Sequence, residues 1–203
     1  MRITIICEGK TERAFKPCLH DFLLERLAGN MPALKFDSHD GPIPTGKKLK
    51  RVVSNLLNTG AKRPDAVIAL KDVYPDLDSS DAATVKQQMK QWVGNEPNFF
   101  PHVALHDFEA WLLPHWDRIE NLAGSNSAPF GANPEAVNHM NPPAHRLAQM
   151  FAAGTCRDSY NKPRDTGRIL KNADLMVSIN ACPELKAFVN TILKLCDESK
   201  VIP

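Results

Sequence analysis

Short apolar runs recur along the first half of the chain and predict four β-strands. They are Arg2–Cys7 (RITIIC), Ala33–Phe36 (ALKF), Asp65–Leu70 (DAVIAL) and Phe99–Leu105 (FFPHVAL). The third is the clearest, because its apolar residues show no polar alternation, which is typical of a strand covered on both faces of a parallel sheet.

Apolar residues at helical spacing lie between these runs. One such pattern follows Thr11, a candidate N-cap, a second runs over Lys47–Leu57, and a third runs over Asp81–Val93 after Ser79 or Ser80 as cap. Alternation of strand and helix predicts a Rossmann-like α/β fold with a mostly parallel four-stranded sheet, flanked by helices and joined by right-handed crossovers. Such sheets place their sites in the crevice beyond the carboxyl ends of the strands.

The pattern changes after Asp107 to short helices separated by loops rich in Pro, Asn and Gly. In Asn133-Pro134-Glu135 we expect an Asn cap, Pro at the first helical position and an acid facing the positive end of that helix. We therefore predict an α/β domain over residues 1–124 and a helical extension over 125–203 packed on it as one globular unit. The predicted helices of this half are Phe108–Leu122, Pro134–His139, Ala144–Ala153, Arg164–Ala173 and Pro183–Asp197.

Composition excludes some classes of site but does not indicate a partner. The chain has 203 residues, 43% of them hydrophobic, and its 25 basic and 23 acidic side chains nearly cancel, so nucleic-acid binding requires a local patch. Its five cysteines include no Cys-x-x-Cys pair, which argues against a disulfide framework or a structural zinc site. No run of 18 apolar residues occurs, so we expect a soluble cytoplasmic protein with no membrane partner.

Carboxylates follow three of the predicted strands. Glu8 follows the first strand, Asp72 follows DAVIAL with Asp76 close behind, and Asp107 and Glu109 follow the fourth. Because the carboxyl ends of parallel strands share one edge of the sheet, we expect these acids to converge. Several carboxylates in one cleft repel each other unless they hold cations, and oxygen ligands suit Mg²⁺ or Mn²⁺, the usual ions of phosphoryl chemistry.

Simpler interpretations exist for these motifs. Asp107 and Glu109 in the first turn of a helix would favour its dipole without any further role, and His106 is either a metal ligand or proton shuttle or a local hydrogen-bonding group. Gly9-Lys10-Thr11 resembles the end of a phosphate-binding P-loop, but the first glycine of that motif falls on Thr4, in mid-strand. Nucleotide binding at this tripeptide is therefore the weakest of the hypotheses.

Basic residues cluster in two places. The first cluster, Lys47, Lys48, Lys50 and Arg51, is either a phosphate-binding face or a solvated helix face. The second stretch is a candidate phosphate-binding face and comprises Arg146, Arg157, Lys162, Arg164, Arg168 and Lys171. Lys10 is a further candidate phosphate contact.

Separated motifs in this order resemble a known family. They are CEGKTE (from Cys7), the Asp72-x-Tyr74 turn, HDFEAWLL (from His106), PEAVN (from Pro134), PPAHRL (from Pro142), YNK (from Tyr160) and Cys182-Pro183. The Glu8-Gly9 turn and the Asp72 turn resemble the Toprim fold of topoisomerases, primases and OLD-type nucleases. The whole chain is similar to a bacterial family of Toprim-like proteins that are often encoded beside an ABC/SMC-type ATPase and associated with defence against phage.

The resemblance implies metal-dependent cleavage of DNA or RNA. By this resemblance Glu8 is a general acid or base and Asp72 binds Mg²⁺ or Mn²⁺, while Asp76 or Asp107 supplies a further ligand. Tyr74 departs from the family pattern, because it stands where the second aspartate of Asp-x-Asp belongs and cannot replace a carboxylate as a ligand. The alternative is a non-catalytic Toprim-like module that regulates or docks onto an ATPase.

Overall fold

A computed structural model describes residues 1–73, 81–126, 133–136, 141–156 and 159–203. Its centre is a parallel sheet of four strands in the order β2-β1-β3-β4. The strands are β1 Arg2–Cys7, β2 Ala33–Ser38, β3 Ala66–Asp72 and β4 Phe99–Ala104. The predicted α/β class with a parallel four-stranded sheet is confirmed.

The strand order creates a switch point between β1 and β3. From β1 the chain proceeds outward to β2 on one side, and β3 and β4 lie on the other. The crevice at such a reversal is where open α/β sheets place their sites. Glu8 directly follows β1, and Asp72 is the last residue of β3 rather than the loop residue that we predicted.

Three long helices connect the strands: α1 Lys10–Leu27, α2 Gly46–Asn58 and α3 Ala82–Val93. The predicted cap of α1 was wrong, because Thr11 lies within the helix and Gly9 is the cap residue. The cap of α3 is Asp81, whose carboxylate accepts the N–H groups of Ala83 and Thr84. Ser79 and Ser80, the caps that we predicted for α3, lie outside the described residues.

The chain after β4 forms shorter helices. The predicted helix Phe108–Leu122 is instead two 3-10 helices, Phe108–Trp111 and Leu113–His115, followed by α4 Trp116–Ala123. Pro114 explains the break, since proline has no N–H for a regular α-helical bond and clashes with the preceding turn. The remaining helices are α5 Pro143–Ala153, α6 Lys162–Leu170, α7 Leu175–Ala181, which we did not predict, and α8 Pro183–Cys196, with 3-10 helices at Pro134–Ala136 and Glu198–Lys200.

Two hydrophobic cores lie on opposite faces of the sheet. The smaller core packs α2 and α3 on the face that includes Val67 and Ala69. The larger packs α1 and the helices after β4 on the face that includes Ile68 and Leu70. Within the larger core α6 packs against α1, and α8 packs against β4. The residues that we predicted as core here, Trp111, Leu112, Leu113 and Trp116, are all buried.

Glu135 ties the larger core together in a way that we did not predict. Its carboxylate accepts the indole N–H of Trp111 and the backbone N–H of Glu184, each at 3.0 Å. The Glu135 carboxylate thus lies at the positive N-terminal end of α8, and not at that of its own 3-10 helix as we predicted. Asn133 is the predicted cap, because its side chain accepts the N–H of Glu135. Burial raises the pKa of Glu135, and these two hydrogen bonds act against that rise.

None of the helices in the described ranges has both the length and the apolar character needed to span a bilayer. The division at residue 124 stays a prediction.

Candidate active site

The carboxylate of Glu8 joins the ends of β1 and β3. Its Oε1 accepts the backbone N–H of Asp72 at 3.1 Å and lies 3.4 Å from the ammonium of Lys71. These strands are neighbours in register, with Ile6 opposite Ala69, so residues just beyond them meet across the switch point. Two of the predicted acids are therefore brought together by the sheet itself.

Lys71 is a site residue that sequence reasoning missed. Its side chain is 1% exposed, although an ammonium ion is costly to bury without a partner, and Glu8 supplies that partner. Lys71 follows Ala66–Leu70, the apolar residues of β3. Lys71 itself is on the face of the sheet that packs α2 and α3. A lone lysine between the apolar run of β3 and Asp72 is the sequence signal that could have identified it.

Glu12 is a second residue that we missed. It lies in the first turn of α1, and its buried carboxylate accepts the backbone N–H of Glu8 at 3.0 Å. Burial, followed by the charges of Glu8 and Glu109, raises its pKa. Gly9 has an extended backbone (φ −154°), and a Cβ there would lie 3.4 Å from Glu12 Oε2, an ordinary van der Waals distance. Other residues adopt this backbone conformation, so the turn into α1 does not require glycine.

His106 turns the chain at the end of β4. Its φ of 65° lies in the left-handed region, which is uncommon for a residue other than glycine. Backbone strain of this kind clusters at functional sites. The buried His106 directly precedes Asp107 and the 3-10 helix that carries Glu109, so this conformation lies between β4 and the two acids.

Asp107 is buried with one of its two oxygens lacking a partner. Its Oδ2 accepts the backbone N–H of Ala144, at the start of α5, at 3.1 Å. Its Oδ1 has no hydrogen-bond partner among the described residues. Burial first, then the charge of Glu109, raises the pKa of Asp107 to about 7.

Glu109 is fully buried and contacts the helical extension. The ammonium of Lys162 lies 3.1 Å from its Oε1, and the Tyr160 hydroxyl donates to the same oxygen at 3.4 Å. Burial lowers the pKa of Lys162, but the charges of Glu109 and Asp107 outweigh it, so the pKa is raised. The helical extension therefore contributes directly to the site. Asp107 and Glu109 do lie at the cap and in the first turn of their 3-10 helix, as the dipole interpretation requires, and each also has a partner outside that helix.

Asp72 shows that these carboxylates form one electrostatic group. Its pKa is raised well above the ordinary value by burial and then by four carboxylates. We call the five acids the acid cluster: Glu8, Glu12, Asp72, Asp107 and Glu109. The charges of the predicted strand-end acids thus act on Asp72, and Glu12 is an additional member that we did not predict. That these acids share one ion stays a prediction.

A divalent cation fits the acid cluster in its chemistry. All the donors are carboxylate oxygens, and the buried Oδ1 of Asp107 lacks the contact that a cation would supply. Within the described ranges, however, no three His, Cys, Asp or Glu side chains are already arranged as metal ligands. The predicted ligand Asp76, and Tyr74 with it, lie in the segment 74–80 outside the described residues.

The predicted phosphate contacts are mostly engaged within the chain. Lys162 pairs with Glu109, Arg164 Nε donates to Asp165 at 2.8 Å, and Arg146 Nε donates to the Asn141 carbonyl at 2.9 Å. Lys10 is exposed at the start of α1. The turn between β1 and α1 is only Glu8-Gly9, so no glycine-rich loop surrounds Lys10 as a P-loop requires.

The fold resembles that of solved OLD proteins. The C-terminal region of the Burkholderia pseudomallei OLD protein superposes with a TM-score of 0.53 at 16% identity, covering 98% of each chain. The C-terminal region of the Xanthomonas campestris pv. campestris OLD protein gives a TM-score of 0.49 at 16% identity, covering 98% of this chain and 93% of that one. The first likeness concerns the fold alone, and the second is too low to add to it.

Comparison with curated proteins finds no match. A family model described as Domain of unknown function (DUF4276) matches residues 7–193. The match begins at Cys7, directly before Glu8, and ends within α8, so it includes every residue of the acid cluster. The chain belongs to the DUF4276 family.

Proposed function

We propose that this chain is a Toprim-type nuclease that hydrolyses phosphodiester bonds with Mg²⁺ or Mn²⁺ at the acid cluster. The observation that carries the proposal is geometric. The Glu8 carboxylate accepts the N–H of Asp72 across the switch point of a parallel sheet, and Asp107, which follows the neighbouring strand β4, keeps one buried oxygen, Oδ1, without a partner among the described residues. The fold likeness to OLD proteins supports the proposal but does not extend to activity.

Asp72 and Asp107 are the residues that would hold the ion, because each is a carboxylate whose charge is poorly balanced by its neighbours. When bound, the ion supplies Lewis acidity at phosphorus and neutralises the charge that develops there. Asp76 would add a ligand from the segment that follows β3.

Glu8 would act as the general acid or base. Its carboxylate is held in place by the Lys71 ammonium and the Asp72 N–H, and a catalytic group needs such fixed orientation. Lys71 would serve as a positioning residue, since it is buried and contacts Glu8 rather than solvent. Glu12 would fix the backbone of Glu8 from the other side.

Cleavage assays with plasmid DNA, single-stranded DNA and RNA test the proposal. We expect cleavage that requires Mn²⁺ or Mg²⁺ and falls by a factor of about 100 or more in Glu8→Gln and in Asp72→Asn. Acids outside the cluster provide matched controls: Glu25→Gln, at an exposed residue, and Asp197→Asn, at a partly exposed one, should cleave like the wild type. Equal cleavage by Asp72→Asn and the wild type would show that the activity arises elsewhere.

A second candidate function is a non-catalytic module that docks onto an ABC/SMC-type ATPase. Two observations favour it: Lys71 and Lys162 already balance two of the acids, and the described residues contain no complete set of three metal ligands. Co-purification with such an ATPase, together with no heat on titration with Mn²⁺, would select this function over the nuclease.

A further inference from the structure

One segment of the chain carries a concentrated positive charge that the acid cluster does not explain. Between residues 41 and 64 there are six basic side chains and no Asp or Glu. Because the whole chain has a formal net charge of +2, the rest of the chain carries −4. Four of the six cations fall within residues 47–51, on the first turns of α2.

These cations do not stabilise the helix that carries them. Leu49, Val53 and Leu57 bury the apolar face of α2 against the sheet, while Lys47, Lys48 and Arg51 are exposed. Cations in the first turn of a helix oppose its dipole, and that turn contains no acid to offset them. In the described part of the chain no salt bridge involves these three side chains.

The three cations surround a common depression. With Pro44 and Val52 they line a shallow cavity of about 440 Å³. We define the basic face as Lys47, Lys48 and Arg51. Its side chains converge on one surface, which an extended polyanion could follow.

The basic face lies at the same edge of the sheet as the acid cluster. α2 begins at Gly46, after the loop that leaves the carboxyl end of β2. That loop is fixed to the cluster, because the Gly41 N–H donates to the Glu8 carbonyl at 3.3 Å and the His39 N–H donates to the Cys7 carbonyl at 2.9 Å. An extended polyanion bound on this face would therefore run beside the edge of the sheet that carries the acid cluster.

We infer that the basic face binds the phosphate backbone of a nucleic acid, without reading its sequence. The choice of partner rests on the proposed function, because a nuclease must hold a polyanion beside its acids. Residues 41–64 include no aromatic side chain on which a base could stack. Cations without aromatic platforms contact phosphates, and such contacts position the nucleic acid without specifying its sequence.

Fluorescence anisotropy in EDTA tests this inference separately from catalysis, because no cleavage occurs without metal. The probes are a short labelled duplex DNA, and a single strand and an RNA of matching sequence. Lys48→Ala/Arg51→Ala should weaken binding of the duplex about tenfold or more, by a similar factor for unrelated sequences. The slope of log affinity against log salt should become shallower by about 2, close to one unit for each cation removed.

The chain offers a matched control. Lys62→Ala/Arg63→Ala removes one lysine and one arginine, both exposed, from the end of the sheet where β3 begins. Both double variants lower the formal net charge from +2 to 0. The control should bind within about twofold of the wild type. Lys48→Arg/Arg51→Lys keeps the charge and should retain binding.

Equal weakening by the two double variants would overturn the inference in favour of bulk charge. Tighter binding of polyglutamate than of any nucleic acid would overturn it in favour of an acidic protein partner. Thermal melting followed by circular dichroism shows whether each variant is folded. If the basic face binds DNA in EDTA but the wild type cleaves nothing with Mn²⁺, the inference stands and the proposed nuclease activity fails.

Discussion

Two buried aspartates on the same side of the sheet differ in how their charge is balanced. Asp165, on α6, is fully buried and accepts the Asn161 N–H at 2.7 Å, Arg164 Nε at 2.8 Å and Arg168 Nη1 at 3.4 Å. Asp107, after β4, is 3% exposed, and within the described ranges only one of its oxygens has a hydrogen bond. The charge of Glu109 raises the pKa of Asp107 and that of Lys162 lowers it, whereas Asp72 is affected by four carboxylates.

The Asp165 charge stabilises the fold, whereas the folded chain balances the Asp107 charge only in part. A buried carboxylate with full hydrogen bonding and cationic partners is a structural element, and removing it exposes its partners. A charged carboxylate that is buried beside other carboxylates destabilises the folded chain at neutral pH. Buried acids whose pKa is perturbed by neighbouring charges are found at functional sites more often than elsewhere in proteins.

The largest expected effect on stability is at Asp165. Asp165→Asn should lower the free energy of unfolding by about 2–3 kcal/mol, because it removes charge-assisted hydrogen bonds from two half-exposed arginines. Urea unfolding near neutral pH measures this. A change below about 0.5 kcal/mol would mean that solvent replaces these bonds and that the comparison with Asp107 does not hold.

Asp107→Asn should act in the opposite direction, with a pH dependence of known sign. The ordinary pKa is 3.8, and burial followed by the Glu109 charge raises it to about 7 in the folded chain. The folded state therefore binds this proton more tightly, so its contribution to stability is full below pH 3.8 and is lost as the pH rises to about 7.

At about pH 8 the wild-type chain must keep a charged Asp107 carboxylate buried, whereas asparagine carries no charge. The variant should therefore be more stable than the wild type by on the order of 2 kcal/mol at that pH without metal. The difference should shrink towards pH 4 as the wild-type carboxyl takes up its proton. Melting curves from about pH 4 to pH 8 measure it. A variant that is less stable than the wild type at high pH would show that Asp107 is balanced by partners in the folded chain.

The smallest expected effect is at the contact between the helical extension and the cluster. Lys162→Met should destabilise the chain by about 1 kcal/mol, because Glu109 loses its cation while the lysine itself is half exposed. Adding Glu109→Gln should restore part of the loss, and the double-mutant cycle isolates the pair. Additive effects of the two substitutions would mean that the ion pair contributes no coupling energy.

The sequence was sufficient to predict the sheet and two of its strand-end acids. Short apolar runs identify parallel strands, and neighbouring strands must bring Glu8 and Asp72 to one edge. We did not predict Lys71, although a lysine after the apolar run of β3 was a signal for it. The sequence did not indicate Glu12 or Tyr160 as site residues, because their placement depends on how α1 and α6 pack against the sheet. Pairings such as Asp107 with the Ala144 N–H are tertiary contacts that no local pattern specifies.

The basic residues illustrate the same limit. From charge alone Lys162 and Arg164 were as plausible as phosphate contacts as Lys48 and Arg51. Packing pairs the first two with buried carboxylates, whereas the second two line a shallow cavity at the edge of the sheet that carries the acid cluster.

Calorimetric titration with Mn²⁺ at about pH 8 tests most directly whether the poorly balanced acids serve to hold a cation. The wild type should bind Mn²⁺, Asp197→Asn should bind like the wild type, and both Asp72→Asn and Asp107→Asn should lose most of the binding. Absence of binding by the wild type, or equal binding by all four proteins, would contradict the assignment of the acid cluster as a metal-dependent active site.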